Sequence, residues 1–270
     1  MTANPNNFAP ERLARMLTMI RERRAARIAE LCAALGASAA TVRRDLAQLE
    51  ARGRIRRVHG GAVSIESRLD EPLFDDKTGQ QSAEKHRIAE IAETMIRSGE
   101  TLYLDGGSTV LELARRLRDR TDVTVATNSL RAAVELAGQG PRTLLIGGEL
   151  RRRSETMVGP LTRSMLERLH FDRAFMGTIG VTAEGLTTTD PAEAYTKELA
   201  VSRAREVVVL ADHTKLGAVS FARSGALEDV DWLITDRPLD AAWRRILKKA
   251  GVRWKIAAGR FSPNPKEVNR

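Results

Sequence analysis

The chain has 270 residues, 42% of them hydrophobic, and a formal net charge of +9. This length suits one large domain or two of ordinary size, with enough apolar residues for a substantial core. A single cysteine, Cys32, excludes an intrachain disulfide and a zinc–cysteine cluster. No apolar run approaches the ~18 residues of a membrane span, and the first residues lack the basic-then-apolar pattern of a signal peptide. We therefore expect a soluble protein of the reducing cytoplasm.

The positive charge is concentrated at the start of the chain. Residues 1–64 contain twelve arginines, no lysine and five acidic residues, a formal charge of +7, which leaves +2 for the other 206 residues. This distribution indicates a small nucleic-acid-binding module joined to a nearly neutral larger domain. The alternative, a generally arginine-rich chain whose arginines line solvated helix faces, stays open when charge alone is considered.

Two short helices are predicted at the start of this basic segment. The first begins near Pro10, and its apolar stripe has helical spacing at Leu13, Met16, Leu17 and Ile20. The second runs from about Ile28 to Leu35 and ends at Gly36, a residue suited to a C-cap.

A third helix places its arginines away from its apolar stripe. It begins after Ser38, whose hydroxyl suits an N-cap, and it ends at Gly53. Its inward stripe consists of Val42, Leu46 and Leu49. A basic hairpin follows, and its Gly60-Gly61 tip suits a tight turn that needs positive φ. Helix, paired arginines and basic hairpin together form the layout of a winged helix-turn-helix.

This layout assigns candidate DNA-binding residues. The third helix would enter the major groove and the hairpin, or wing, would contact the backbone. The candidates are Ser38, Thr41, Arg43, Arg44, Arg56, Arg57 and His59. Either Arg43 or Arg44 could instead only pair with Asp45 or Glu50, and this alternative stays open.

The pattern weakens after the hairpin. Glu71-Pro72 and Gly79-Gln80-Gln81 are typical of a linker, with a short ordered piece expected near Leu73-Phe74. A helix then resumes, with one apolar face formed by Ile88, Ile91, Met95 and Ile96. We therefore predict a DNA-binding domain at 1–64, a linker at 65–82, a second domain at 83–260 and a frayed tail at 261–270.

Beyond residue 100 short apolar runs alternate with helical patterns. The apolar runs are 101–104, 123–126, 143–146, 174–176, 207–211, 232–235 and 254–257. Helical stretches at 110–117 and 130–137 lie between some of them. This alternation predicts a mostly parallel α/β sheet with helices on its faces, and ligands bind outside the carboxyl ends of such strands.

Polar and glycine-rich segments follow several of these predicted strands. They are Asp105-Gly106-Gly107-Ser108-Thr109, Thr127-Asn128-Ser129, Gly147-Gly148-Glu149-Leu150-Arg151 and Asp212-His213-Thr214-Lys215. Taken singly, each is more typical of a turn or a helix cap than of a binding site. Neither a Walker phosphate-binding loop nor a Rossmann Gly-x-Gly-x-x-Gly follows the first strand.

Together, these segments predict a small-molecule site. Hydroxyl-bearing helix N-termini and the cations of Arg151, Lys197 and Lys215 would form a basic, amide-lined pocket. The carboxylates of Asp105 and Glu193 would be available to bind hydroxyl groups. This combination suits a small phosphorylated sugar or polyol. We include Ser129 and Gly148 among the candidate residues because they lie in the same strand-end segments.

Eight short segments of the chain, taken in their order, resemble the sequence motifs of a known family. They are 41–46, 58–62, 104–109, 127–129, 147–148, 171–175, 193–194 and 210–215. Over residues 10–257 the chain resembles the DeoR family of bacterial transcription regulators. Gly-Ser-Thr replaces the family's usual Gly-Thr-Thr after Asp105, a conservative change for an anion-binding loop. Gly36-Ala37-Ser38 replaces its usual Gly-Val-Ser and alters only a packing residue.

The resemblance implies a winged-helix DNA reader joined to a sensor domain similar to ribose-5-phosphate isomerase. Members of the family are mostly repressors of sugar or polyol catabolic operons, are released by a phosphorylated intermediate and commonly form dimers or tetramers. The resemblance implies DNA contacts for the helix and wing residues named above. It implies effector contacts for Asp105, Gly106, Gly107, Ser108, Thr109, Asn128, Lys197 and Lys215.

We therefore predict a cytoplasmic repressor rather than an enzyme, without cofactor or metal. Its expected partners are double-stranded operator DNA, a phosphorylated sugar or polyol and further copies of the chain in a homodimer or homotetramer. Two alternatives stay open. One is an isomerase-like enzyme with a DNA-binding head, in which Glu193 and Asp105 would act as base and acid. The other is an activator or a ligand-independent regulator.

Overall fold

A computed structural model describes residues 9–23, 25–52, 54–58, 60–64 and 74–258. The chain divides into two units, Met1–Ser67 and Arg68–Arg270. We call the first the DNA-binding unit and the second the sensor unit, and each is described by itself. His59, Gly53, residues 65–73 and the predicted tail at 261–270 lie outside the described residues.

The DNA-binding unit contains three helices and a three-stranded antiparallel sheet. Its elements are α1 Ala9–Arg23, β1 Ala25–Arg27, α2 Ile28–Leu35, α3 Ala39–Ala51, β2 Ile55–Val58 and β3 Gly61–Ser64. The strands lie in the order β1-β3-β2. A small core is formed by Met16, Ile20, Leu31, Val42, Leu46, Leu49 and Ile55. These elements confirm the predicted winged helix-turn-helix.

Local signals near α2 and α3 act as the sequence predicts. Gly36 follows α2 with φ 60°, in the left-handed region that glycine adopts at little cost. The Ser38 hydroxyl accepts a hydrogen bond from the backbone N–H of Thr41 and caps α3. Helix α3 ends at Ala51 with Arg52 as its C-cap.

The wing differs from the prediction in its glycines. Only Gly60 has positive φ, at 84°, and Gly61 already belongs to β3. A Cβ on Gly61 would lie 2.3 Å from the carbonyl oxygen of Ala26, because β3 pairs closely with β1. Gly61 is therefore required by a close backbone approach rather than by the turn. Strand β1 itself was not predicted.

A buried ion pair joins α1 to α3. The Nε of Arg12 lies 2.6 Å from Oδ2 of Asp45, and both side chains are buried. The hydrogen bond to Asp45 raises the pKa of Arg12, although desolvation opposes this shift. Because each charge has left water, each depends on the other for compensation.

Replacing Arg12 by Met leaves the Asp45 carboxylate buried without this cation. We expect the free energy of unfolding of the DNA-binding unit to fall by about 3–5 kcal/mol. All tryptophans lie at or beyond Trp232, so fluorescence does not report on this unit. Native-state hydrogen exchange of peptides from α1 and α3 measures the change. Arg15→Met, at an exposed position of α1, is the matched control and should leave exchange unaltered.

The sensor unit is an α/β domain. Its helices are α4 Phe74–Gly79, α5 Ser82–Glu93, α6 Ser108–Arg116, α7 Leu130–Leu136, α8 Pro160–Leu166, α9 Pro191–Ser202 and α10 Ala241–Lys249. Its strands are β4 Thr101–Leu104, β5 Thr124–Thr127, β6 Arg142–Leu145, β7 Glu149–Arg151, β8 Thr156–Val158, β9 Phe171–Gly177, β10 Gly180–Thr182, β11 Gly185–Thr188, β12 Ala204–Leu210, β13 Ala222–Gly225, β14 Trp232–Thr235 and β15 Arg253–Ile256.

The seven apolar runs of the sequence form one parallel sheet. Its strand order is β15-β14-β12-β9-β4-β5-β6, and every neighbouring pair is parallel. Alternate side chains face two cores: Leu102 and Leu104 pack against α5 and α6, whereas Tyr103 packs on the other face near Phe171. The predicted parallel α/β fold is confirmed. All carboxyl ends of these strands therefore lie along one edge, which we call the carboxyl edge.

Three features of the sensor unit differ from the prediction. Helix α4 lies inside the predicted linker, and its Phe74 is buried, so the ordered piece expected there is longer than the sequence indicated. Strands β7 and β8 form an antiparallel hairpin, and β10, β11 and β13 form a second antiparallel sheet. These strands are only three or four residues long and contain no continuous apolar run. Within the described residues, no helix is both long and apolar enough to cross a membrane.

Candidate functional site

The outer face of α3 is the candidate nucleic-acid interface. Val42, Leu46 and Leu49 are buried against the small core, whereas Arg43 and Arg44 are exposed. The two faces arise from helical spacing, which separates the apolar stripe from the arginines.

The structure decides the alternative that the sequence left open for Arg43 and Arg44. Asp45 is occupied by Arg12, and the Glu50 carboxylate accepts the backbone N–H of Arg57 at 2.8 Å. Neither Arg43 nor Arg44 forms an ion pair with any residue in the described part of the chain. Both guanidinium groups are therefore available to an external anion or base.

The other predicted DNA contacts differ in their surroundings. Ser38 caps α3, and its hydroxyl lies 2.9 Å from that of Thr41, so both hydroxyls already have a partner. On the wing, Arg56 is exposed, whereas Nε of Arg57 lies 3.8 Å from Glu50, a contact that partly neutralises its charge.

The centre of the candidate effector site is a buried ion pair. The Asp105 carboxylate, directly after β4, accepts hydrogen bonds from Lys197 Nζ and, at 3.0 Å, from the backbone N–H of Gly177. Lys197 also donates to the carbonyl of Gly177 at 3.1 Å. Asp105 is 1% exposed and Lys197 4%. This pair joins the ends of β4 and β9 to helix α9.

The β7–β8 hairpin lies beside this pair. Thr156 is fully buried, and a Cβ on Gly106 would lie 2.2 Å from its methyl group. The hydroxyls of Thr156 and Ser154 lie 2.8 Å apart. The Ser154 hydroxyl also accepts a hydrogen bond from the Arg151 guanidinium at 3.0 Å. Because Gly106 has no side chain, the hairpin can pack closely against the loop between β4 and α6.

Arg151 extends this network to α9. Its guanidinium lies 3.3 Å from Asp190 and 3.6 Å from Glu193. The Glu193 carboxylate also accepts a hydrogen bond from the Thr188 hydroxyl at 3.2 Å. Asp190 in turn caps α9 through the backbone N–H of Glu193.

These contacts correct the predicted electrostatics of the site. The sequence suggested a basic pocket in which Asp105 and Glu193 would be available to ligand hydroxyls. Instead Lys197 compensates Asp105, and Arg151 compensates Glu193. Lys215 is half-buried and forms no ion pair with a described residue. The cations are thus mostly engaged internally, because buried charges require partners.

The first turn of α6 retains unused hydrogen-bonding capacity. Gly107 is its N-cap with φ 131°, and it carries no side chain that could cap the helix. Ser108 and Thr109 are buried, and their hydroxyls form no hydrogen bond within the described ranges. Free backbone N–H groups and hydroxyls at a helix N-terminus favour an anion.

The next strand end contributes one unused acceptor. Asn128 is 1% exposed, and its Nδ2 donates to the carbonyl of Met157 at 3.0 Å. Its Oδ1 is buried and has no hydrogen-bond partner among the residues described. Ser129, by contrast, caps α7 by accepting the backbone N–H of Ala132, so its hydroxyl has a structural role.

Gly148 is not brought into this cluster. Its φ is 151°, and a Cβ there would lie 2.0 Å from the Thr162 hydroxyl and 2.6 Å from the carbonyl of Val158. Close packing against α8 therefore accounts for this glycine without a ligand.

A turn after β12 brings further charged groups to the carboxyl edge. The Asp212 carboxylate accepts the backbone N–H of Thr214 at 2.9 Å and so shapes the turn that carries Lys215. Nδ1 of His213 lies 2.8 Å from Asp236 at the end of β14. Lys85 is near this turn, and its burial lowers its pKa to about 8, although Asp212 opposes the shift.

Several residues of the site were missed by sequence reasoning. Ser154 and Thr156 enter through the hairpin and Thr188 through the second sheet, whose strands carry weak sequence signals, and Asp190 enters as the N-cap of α9. Tyr103 is also close: burial, and to a smaller extent Asp105 and Glu193, raise its pKa well above the usual value. Its hydroxyl has no hydrogen-bond partner in the described part of the chain. From the sequence, the alternation of side chains along a strand predicts only that Tyr103 and Leu102 face opposite sides of the sheet, and it does not predict that Tyr103 lies near the site.

The fold and the two candidate sites define a class: transcriptional regulators with an N-terminal helix-turn-helix and a C-terminal sensor domain. A family model of the DeoR-like helix-turn-helix domain matches residues 12–68, and one of the DeoR C-terminal sensor domain matches residues 80–237. The chain belongs to the DeoR family of transcriptional regulators.

Curated relatives match over nearly their whole length. The HTH-type transcriptional regulator GlpR of Haloferax volcanii is 40% identical over 90% of this chain and 95% of its own. The HTH-type transcriptional repressor GlcR of Bacillus subtilis is 31% identical over 91% of this chain and 95% of its own. The lactose phosphotransferase system repressor of Streptococcus mutans is 34% identical over 88% of this chain and 96% of its own. These relatives are regulators, not enzymes.

Among solved structures, ribose 5-phosphate isomerase A of Methanocaldococcus jannaschii is similar with a TM-score of 0.38 and 21% identity. The match covers 51% of this chain and 55% of that one. A likeness at this level assigns neither an activity nor a ligand to the chain.

Gly106→Ala tests the close approach of the hairpin. The new Cβ would overlap the buried Thr156 methyl group, so the free energy of unfolding of the sensor unit should fall by about 1–3 kcal/mol. Urea unfolding followed by tryptophan fluorescence measures this, since all three tryptophans lie in the sensor unit. Gly138→Ala is the control, because nothing lies within 4 Å of its Cβ position. Equal stability of the two variants would contradict the packing described here.

Proposed function

We propose that this regulator is a repressor of a sugar or polyol catabolic operon and that a phosphorylated sugar or polyol releases it from DNA. Residues 1–64 would read the operator, 65–82 would connect the domains and 83–260 would bind the effector, with residues 261–270 as a tail. The observation that supports the first half is that Arg43 and Arg44, on the outer face of α3, have no ion-pair partner among the described residues. The names of the relatives GlcR and the lactose phosphotransferase system repressor support a repressor.

DNA recognition would use the cations that the fold leaves unpaired. Arg43 and Arg44 would reach base edges and phosphates in the major groove, where a bidentate arginine–guanine pair gives about 1–3 kcal/mol of discrimination. Thr41 lies one turn from the cap and would add a hydroxyl contact. Arg56, with weaker contributions from Arg57 and His59, would contact the backbone and add affinity with little sequence information. Two copies in a homodimer or homotetramer would match two half-sites.

The phosphate and the hydroxyl groups of the effector would bind to different parts of the site. Its phosphate would meet the backbone N–H groups and hydroxyls of Ser108 and Thr109 at the start of α6, with Lys215 as a nearby cation. Its hydroxyl groups would meet the carboxylates of Asp105 and Glu193 and Asn128 Oδ1, which has no hydrogen-bond donor among the described residues. Those carboxylates can accept additional hydrogen bonds while still paired with Lys197 and Arg151.

Release follows if the effector binds the DNA-free conformation more tightly than the DNA-bound one. The ratio of the two affinities sets the largest possible loss of operator affinity. Binding alone is sufficient for this action.

The DNA-binding half is tested by selecting bound duplexes from a randomised library with the full chain. Arg43→Ala and Arg44→Ala should each weaken binding to the selected duplex by about 1–3 kcal/mol, roughly 5- to 150-fold, since each removes an unpaired cation. Fluorescence anisotropy at fixed salt measures the Kd. Arg205→Ala, at a highly exposed position of the sensor unit, removes the same charge and should leave the Kd within twofold. Unchanged affinity in both α3 variants would refute this assignment.

The effector half is tested by thermal shift of the full chain. The panel contains ribose 5-phosphate, fructose 1-phosphate, glucose 6-phosphate and glycerol 3-phosphate, the unphosphorylated compounds and inorganic phosphate. A ligand at a hundred times its Kd adds about 2.7 kcal/mol to the stability of the native state, which raises Tm by several degrees. The shift should require the phosphate and disappear in Ser108→Ala and Lys215→Met.

Lys249→Met, at an exposed position of α10, is the matched control and should retain the full shift. A shift that survives Ser108→Ala and Lys215→Met would move the phosphate away from the start of α6. Conversion of the bound compound into its isomer, followed by NMR, would instead favour an isomerase-like enzyme. No shift with any compound would favour a regulator that needs no sugar-phosphate ligand.

A further inference from the structure

Helix α4 is the first described element of the sensor unit. It follows residues 65–73, the part of the chain that leads from the DNA-binding unit. At six residues it is too short to be stable as an isolated helix. Its helical state therefore depends on contacts with its neighbours, and the structure places such contacts at both of its ends.

The first contact holds the N-terminal end of α4. Phe74 is buried, and the guanidinium of Arg131, in the first turn of α7, lies 5.8 Å from its ring centre. The same guanidinium donates to the Glu155 carboxylate, with NH2 to Oε1 at 3.1 Å. Arg131 therefore links the start of α4 to Glu155.

Glu155 lies in the turn of the hairpin that borders the candidate effector site. It has φ 53°, and its carbonyl accepts the backbone N–H of Leu130 at 2.9 Å. Its neighbours Ser154 and Thr156 belong to the hydroxyl network of the site. A displacement of the hairpin at Thr156 must therefore displace the group that holds Arg131.

The second contact holds the C-terminal end of α4. Lys85, in the first turn of α5, is 4% exposed and donates hydrogen bonds from Nζ to the carbonyls of Lys77 and Gln80. These carbonyls belong to the last turn and the end of α4, where a cation is favourable. Asp212 and Lys215, in the turn after β12, act electrostatically on the same ammonium group.

The first contact therefore runs from α4 to Glu155, in the hairpin that borders the candidate effector site, and the second fixes the C-terminal end of α4 to α5. We propose that α4 couples the candidate effector site to residues 65–73, which lead from the DNA-binding unit. Arg131 and Lys85 keep α4 folded against the rest of the sensor unit, and displacement of the β7–β8 hairpin weakens the contact made by Arg131. The inference deepens the proposed function, because it assigns the element through which occupancy of the site would reach residues 65–73. Arg131 and Lys85 are positioning residues and need not touch the ligand.

Hydrogen–deuterium exchange on the full chain tests the hold itself. The readout is the exchange rate of the peptide spanning residues 74–81. Arg131→Ala removes both the cation over Phe74 and the partner of Glu155, and it should accelerate exchange at least threefold. Arg163→Ala is the matched control, since Arg163 also lies over an aromatic ring, that of Tyr195 at 5.4 Å, and also pairs with a glutamate, Glu167. Equal exchange in both variants overturns the proposal.

A second pair of variants tests the coupling. Gly106→Ala displaces Thr156 and leaves Phe74, Arg131 and Lys85 unsubstituted, and it should accelerate exchange of the same peptide at least threefold, whereas Gly138→Ala should not. Where Gly106→Ala fails to fold, Ser154→Ala replaces it, because the Ser154 hydroxyl links Arg151 to Thr156. Acceleration by Arg131→Ala but not by a hairpin variant means that α4 is held but not coupled, and it overturns the proposal.

Neither pair of variants needs a ligand. Failure of every compound in the thermal-shift panel therefore contradicts the proposed effector while leaving this test intact. Unaltered exchange in the hairpin variants contradicts the coupling even where a sugar phosphate binds.

Discussion

The sensor unit depends on one buried contact, the ion pair of Asp105 and Lys197. Removing both charges from water is costly, and their mutual attraction offsets that cost only when further hydrogen bonds satisfy them. The N–H and carbonyl of Gly177 provide such bonds. Because Asp105 follows β4, Gly177 ends β9 and Lys197 lies on α9, the pair fixes two neighbouring strand ends relative to the helix that carries Glu193. The other parts of the carboxyl edge are arranged around this pair, and Arg151 compensates Glu193 in the same way.

The same rule of charge compensation has the opposite result in the DNA-binding unit. There the acidic residues near the recognition helix are taken up by other cations: Asp45 by Arg12, and Glu50 by the wing at Arg57. No described residue pairs with Arg43 or Arg44, so two cations on the outer face of α3 are available for the proposed contact with DNA. In the sensor unit Arg151 and Lys197 are engaged in ion pairs, and among the described residues the unused groups are Lys215 and the neutral donors and acceptors of Ser108, Thr109 and Asn128. The first unit thus offers mainly positive charge, and the second offers mainly directed hydrogen bonds.

Sequence reasoning was most successful where a strong local signal matched the tertiary environment. The apolar runs predicted all seven strands of the parallel sheet. Its inner strands are buried on both faces and must be apolar along their length, whereas the edge strand β6 is largely exposed and was found by its apolar run alone. Gly36 and Ser38 correctly bounded two helices of the DNA-binding unit. It failed for the β7–β8 hairpin and the β10–β11–β13 sheet, whose short strands contain threonine and glycine and have no continuous apolar run. Those elements carry Ser154, Thr156 and Thr188, so the missed strands and the missed site residues have the same cause.

By itself, the sequence determined the order of the elements, the two-faced recognition helix and the set of polar residues at the strand ends. Periodicity and turn chemistry act over a few residues, so they can be recognised without the fold. Which charges neutralise one another was decided only by the tertiary structure. Asp45 meets Arg12 across 33 positions of sequence, and Asp105 meets Lys197 across 92. Electrostatic pairing depends on distance and burial in space, and neither is contained in the spacing of residues along the chain.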